Sequence, residues 1–155
     1  NSPKKISLIG SLLLNDVYSL RYIENIDLSY CLNIYNVEPL KNVKILNLTG
    51  CFNIIDISSL CNVEELIISK CTFILDVSNL TNVKILDVSY CDKITDINNL
   101  LKLKELNIAF TNIKINLLKL INLKELIINN DKLINLDNLL KNNVNVNLID
   151  NISRI

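Results

Sequence analysis

Four cysteines, Cys31, Cys51, Cys71 and Cys91, recur every 20 residues. Asp16, Asp56, Asp76 and Asp96 keep the same spacing, with Asn36 and Asn116 completing their column. Rows of thiols or carboxylates suggest metal chemistry, since thiolates suit zinc and carboxylates suit calcium. The spacing argues against both. Zinc ligands converge from several directions, commonly as Cys-x-x-Cys pairs, and no such pair occurs. A single column also presents parallel Cβ vectors, which suit a disulfide poorly. The cysteine column starts with Ser11 and continues as Thr111 and Asp131. What these residues share is a small side chain able to hydrogen-bond turn backbone. Free, buried, structural thiols are therefore expected, with Cys61 off the column. Replacing Asp by Asn keeps a turn hydrogen bond but deletes the charge, and calcium-binding rolls need Gly-rich loops that are missing. The aspartates read as turn caps. No metal and no cofactor are expected.

Catalysis has little to work with. The chain has no histidine, only two glycines (Gly10 and Gly50), and no nucleophile beside a base. An enzyme is not expected. Basic and acidic residues number 16 each, whereas nucleic-acid binders carry a basic surplus. No apolar run reaches the roughly 18 residues of a membrane span. Lys4 and Lys5 precede only a short Ile-Ser-Leu-Ile stretch, which is no secretory signal. Nucleic acid and membrane are thus not expected as partners, and an intracellular, cytoplasmic location is. The Asn-x-Ser/Thr triplets at Asn47, Asn79 and Asn151 are what chance supplies in so Asn-rich a chain, and they carry no message about export.

What positions these columns is a repeat. NVKILNLTGCFNIIDISSL, NVEELIISKCTFILDVSNL and NVKILDVSYCDKITDINNL align without a gap between Asn42 and Leu100. With Pro3, Ile23, Val43, Val63, Val83, Leu103, Leu123 and Asn143 as position 1, repeats fall near 3–22, 23–42, 43–62, 63–82, 83–102, 103–122, 123–142 and 143–155. Position 4 runs Ile6, Ile26, Leu46, Leu66, Leu86, Leu106, Leu126, Val146, and position 6 runs Leu8, Leu28, Leu48, Ile68, Val88, Ile108, Ile128, Leu148. Position 18 is leucine from Leu20 to Leu140. Positions 4 and 6 lie two apart, so both face one side of a short strand, with 3, 5 and 7 facing the other. One unit cannot bury its apolar side alone, but stacked units can. About a dozen residues remain for each return path, too few for a long helix, so extended or 3₁₀ segments are expected there. The pattern weakens late: Lys114 and Asp137 replace aliphatics, while Ile113, Ile115, Leu133 and Leu136 suggest one-residue shifts.

VKILNLTGC at 43–51 resembles the leucine-rich-repeat strand signature L-x-x-L-x-L-x-x-N/C. KITDINNL at 93–100 is similar to the internalin-type return segment. The cysteine at position 9 resembles the cysteine-containing subclass of F-box substrate receptors, and the repeat composition resembles leucine-rich-repeat proteins of insect poxviruses. The resemblance covers essentially the whole chain. It implies a strand-rich α/β class with little helix: one right-handed leucine-rich-repeat solenoid over 1–155, a curved parallel sheet, and a concave face that binds protein ligands. The chain is expected to be part of a longer one.

On that face, Tyr90 and Phe110 at position 8 occupy adjacent strands, with Lys70 beside them and Ile67, Ala109 and Ile127 close by. Exposed aromatics and aliphatics grouped on a groove are the usual makings of a binding hot spot. Asp87, Asn107 and Tyr30 complete the candidate set. Asp27, Glu65, Asp87, Glu105, Glu125 and Asp150 outnumber Lys5 and Lys70 there, so a basic protein partner is expected. A non-catalytic protein-interaction module is the leading expectation, as the recognition part of a host-interacting protein or of a ubiquitin-ligase substrate receptor. A structural spacer or surface adhesin is the alternative.

Overall fold

A computed structural model describes residues 4–116, 118–129 and 143–150. Eight strands form one sheet in sequence order: β1 Lys5–Ser7, β2 Asn25–Asp27, β3 Ile45–Asn47, β4 Glu65–Ile67, β5 Ile85–Asp87, β6 Glu105–Asn107, β7 Glu125–Asn129 and β8 Asn145–Ile149. Every neighbouring pair is parallel, and Ile26, Leu46, Leu66, Leu86, Leu106, Leu126 and Val146 stand in line. The register offset is the sequence period, as stacking of identical units requires.

Three return paths carry a 3₁₀ turn, at Tyr18–Leu20, Glu38–Leu40 and Ser58–Leu60. The next two described returns make simple turns. The core is a stack of aliphatic layers, with Ile26, Leu46 and Leu66 on the strands, Ile34, Ile54 and Ile74 on the flank, and Leu40, Leu60 and Leu80 in the return, all buried. In the sixth repeat Ile113 and Ile115 pack inward and Lys114 is exposed, which is the expected one-residue shift. Asp131, Leu133, Leu136, Asp137, Leu140 and Asn151 lie outside the described residues.

The Asp/Asn column caps the return turns. Backbone amides two residues on donate to Asp16, Asn36, Asp56, Asp76, Asp96 and Asn116 at 2.8–3.1 Å. Asparagine can replace aspartate because the amide cap uses only one side-chain oxygen. Among the described residues no group of three or more His, Cys, Asp or Glu is placed to hold a metal ion, and no helix is long and apolar enough to cross a membrane.

One expectation needs correction. Position 7 does not face solvent in most repeats: Ser29, Ser69, Ser89, Ala109 and Asn129 are buried and Thr49 and Ile149 half-buried, while Ile9 in the first repeat is exposed. Strands β1 to β6 all span only positions 3–5, so side-chain alternation stops before position 7. There the chain already turns, and the small residue is folded into the floor. The Ser69 and Ser89 hydroxyls satisfy each other at 2.8 Å.

Candidate functional site

The turn that ends each strand sets the geometry of the sheet's rim. The amide at position 9 donates to the carbonyl at position 6: Cys31 to Leu28, Cys51 to Leu48, Cys71 to Ile68 and Cys91 to Val88, each at 3.0 Å. The amide at position 8 donates sideways to the next repeat, as Tyr30 to Thr49 at 2.7 Å and Tyr90 to Ala109 at 3.0 Å. Position 8 is thus the third residue of a four-residue turn and is held from a second side. Its backbone is left-handed from the first repeat to the sixth: Gly10 (φ 66°), Tyr30 (60°), Gly50 (67°), Lys70 (65°), Tyr90 (62°) and Phe110 (58°). A turn with positive φ at its third residue favours glycine or asparagine. Gly10 and Gly50 were the sequence signal for this conformation, and sequence reasoning missed it.

Four bulky residues therefore stand where glycine fits best. Each costs about 1–2 kcal/mol in this conformation. Their mutual contacts return less. Tyr90 and Phe110 stack with centroids 4.5 Å apart and planes 16° off parallel, a pairing worth about 0.5–1.5 kcal/mol. The Lys70 ammonium lies 5.8 Å from the Tyr90 ring centre, adding about 0.5–1 kcal/mol at an exposed site. The rim of repeats 4 to 6 is thus a ladder of Lys70, Tyr90 and Phe110. Tyr90 is 45% exposed, Lys70 is exposed and Phe110 is half-buried. Tyr30 lies apart, 42% exposed, with its ring over Gly50: a Cβ on Gly50 would come within 2.6 Å of it.

The other candidates divide. Asp87 and Asn107 act locally, accepting from the Ser89 amide at 2.8 Å and the Ala109 amide at 3.1 Å. Asn107 also donates to Asp87 at 2.9 Å. The outer strand positions thereby shape the turn that presents the ladder. Ile67 and Ile127 are half-buried at the same position. Ala109, grouped with the exposed aliphatics from sequence, is buried. Glu105 and Glu125 are exposed along the sheet margin. Glu64, one residue earlier than Glu65, is bridged by Lys84 and by Lys44, the latter at 3.5 Å.

Immediately behind the ladder stands the cysteine column. Each thiol donates to the position-6 carbonyl of the preceding repeat: Cys31 to Leu8 (3.0 Å), Cys51 to Leu28 (3.1 Å), Cys71 to Leu48 (3.0 Å) and Cys91 to Ile68 (3.1 Å). Thr111 makes the equivalent turn bond to Ile108 within its own repeat. All five cysteines are free. Burial pushes the Cys51, Cys71 and Cys91 thiols up to about 12, which removes the thiolate that nucleophilic or metal chemistry needs.

No protein-family model and no curated protein matches the chain. Solved structures do. An internalin (inlF) of Listeria monocytogenes superposes with a TM-score of 0.70 at 21% identity over 99% of this chain and 50% of its own. Internalin C2 of the same organism gives 0.70 at 22% identity, over 96% of this chain and 74% of its own. The chain thus spans half the length of the first neighbour and about three quarters of the second. Register, return turns and these superpositions agree that the chain has the leucine-rich-repeat solenoid fold seen in internalins.

Proposed function

We propose that this solenoid is a non-catalytic module that binds a protein through the concave face, with the Lys70–Tyr90–Phe110 ladder as its anchor. One observation carries the reading: bulky side chains occupy left-handed positions at a cost that their own contacts do not repay, while glycine serves the same turn at Gly10 and Gly50. Backbone strain kept where a strain-free residue is at hand points to use of the side chain. Flat aromatic faces give large contact area for little lost entropy. Asp87, Glu105 and Glu125 near the ladder favour a basic partner and disfavour nucleic acid. Catalysis is not proposed, because burial keeps the Cys51, Cys71 and Cys91 thiols protonated and histidine is absent. The free thiols suit a reducing cytoplasm. In a longer chain the module would supply recognition, as in a host-interacting protein or a ubiquitin-ligase substrate receptor.

The test compares the wild type, the Tyr90→Ala/Phe110→Ala double variant and a Lys119→Ala control on the return side. For a protein retained by wild type and control, the double variant should weaken binding by at least about 2 kcal/mol, roughly thirtyfold, with its melting curve unchanged. Undiminished affinity with the fold intact would move the site off the groove. A chain that retains no partner at all would favour the spacer.

A further inference from the structure

A second surface is built on the outer flank. Leu32 and Tyr35, Phe52 and Ile55, and Phe73 and Leu75 stand exposed on three successive repeats. They lie at positions 10, 11 and 13, between residues at 9, 12 and 15 that turn into the core. The scaffold does not demand apolar residues here. In the fifth repeat the corresponding places hold Asp92, Lys93 and Thr95, and Cys91, Ile94 and Ile97 beneath them are just as buried. Scattered exposed apolar residues need no explanation, but rows of them on adjacent rungs form a contiguous patch, and such patches mark interaction sites.

An acidic row borders this patch. Asp56, Asp76 and Asp96 at position 14 are exposed, and positions 13–16 of their repeats contain no lysine or arginine. Each accepts a turn amide at 2.8 Å, and Asp76 also accepts the Ser78 hydroxyl at 3.0 Å through its other oxygen. Amide and hydroxyl hydrogen bonds from Ser58 and Ser78 hold Asp56 and Asp76 below the usual carboxylate range, so they stay charged. Lys93 lies with its ammonium 4.5 Å from the Phe73 ring centre, showing how the patch receives a cation.

Spacing selects the partner's shape. Rungs repeat about every 4.8 Å, a helix advances about 5.4 Å per turn, and same-face residues of a strand lie almost 7 Å apart. A helix laid across the rungs keeps one turn per repeat, drifting by only about 1 Å over three of them. We propose that this flank docks an amphipathic helix of another protein, its apolar stripe over Tyr35, Ile55 and Leu75 and a line of Lys or Arg over Asp56, Asp76 and Asp96.

The test is selection of a displayed library of helical peptides, about five turns long, on the full chain. Counter-selection uses the Tyr35→Ser/Ile55→Ser/Leu75→Ser variant. Enriched peptides should carry apolar residues at i, i+4 and i+7 with Lys or Arg alongside. They should bind the Tyr90→Ala/Phe110→Ala chain as well as wild type. The Asp56→Asn/Asp76→Asn/Asp96→Asn variant keeps the turn-capping oxygens, so it should fold normally and lose at least about tenfold in affinity, with the difference shrinking in high salt. Peptides lacking basic residues, undiminished binding to the Asn variant, or no enrichment would each overturn the proposal. Loss of binding with the Tyr90/Phe110 variant would instead assign the selected peptides to the groove. If the serine variant fails to fold, the Asn variant decides alone.

Discussion

Two neighbouring rows run the length of this solenoid, one residue apart in sequence, and they behave in opposite ways. Cys31, Cys51, Cys71 and Cys91 are identical, buried and each bonded to the repeat before. Tyr30, Gly50, Lys70 and Tyr90 differ at every step, reach solvent in all but the glycine, and share a left-handed backbone. The turn imposes the same conformation on each member of a row, so identity within a row follows what the side chain touches. A thiol facing a neighbour's carbonyl has one good solution. A side chain facing outward has none prescribed by the fold, so its choice answers to something else.

The largest expected effect lies on the inward side. Leu86 and Leu106 are buried at position 4 on adjacent strands. Leu86→Ala and Leu106→Ala should each cost about 2–5 kcal/mol in denaturant melts. Losses below about 1 kcal/mol for both would mean that the inward columns do not carry the stability, and the contrast would collapse.

A smaller effect sharpens the outward side. Gly50 has φ 67° and the Tyr30 ring covers its Cα. Gly50→Ala should destabilise by about 1–3 kcal/mol through backbone strain and the clash together. Adding Tyr30→Ala should recover the part due to the clash. A double variant no better than Gly50→Ala alone would show that the ring yields freely and that only the backbone matters.

The smallest effect concerns the thiols at neutral pH. A thiol reagent should label Cys61 in the native chain and reach Cys31, Cys51, Cys71 and Cys91 only on unfolding. The folded thiols at 51, 71 and 91 titrate near 12 against an ordinary value of 9.0. Their pKa is raised, so the folded state holds protons that the unfolded state loses. Stability from this source is complete below about pH 9 and declines as pH rises from there toward 12. Replacing all three by serine should flatten the decline in equilibrium melts over that range. A slope unchanged by the replacement would place the alkaline sensitivity elsewhere.

Legibility followed the same division. The repeat length, the columns at positions 4, 6, 9, 12, 15 and 18, and the capping role of the aspartates could be read because each rests on a local spacing repeated many times. The shifted packing around Lys114 was readable for the same reason. The ladder was readable in part. Tyr90 and Phe110 could be placed on adjacent repeats from the period alone, but not in the turn beyond the strands, nor could their stacking or their backbone be foreseen. The burial of Ala109 was misread because alternation was carried two residues past the end of the strand.

The sequence by itself determined that units of 20 residues must stack, since no unit can bury its apolar side alone and each offers the same side to the next. It also determined which rows enter the core. Only the tertiary structure decided the partners of the thiols and the contacts of Tyr90 with Lys70 and Phe110. Those depend on hydrogen bonds and ring contacts between residues about 20 apart in sequence, and such contacts come into being only once neighbouring repeats lie side by side.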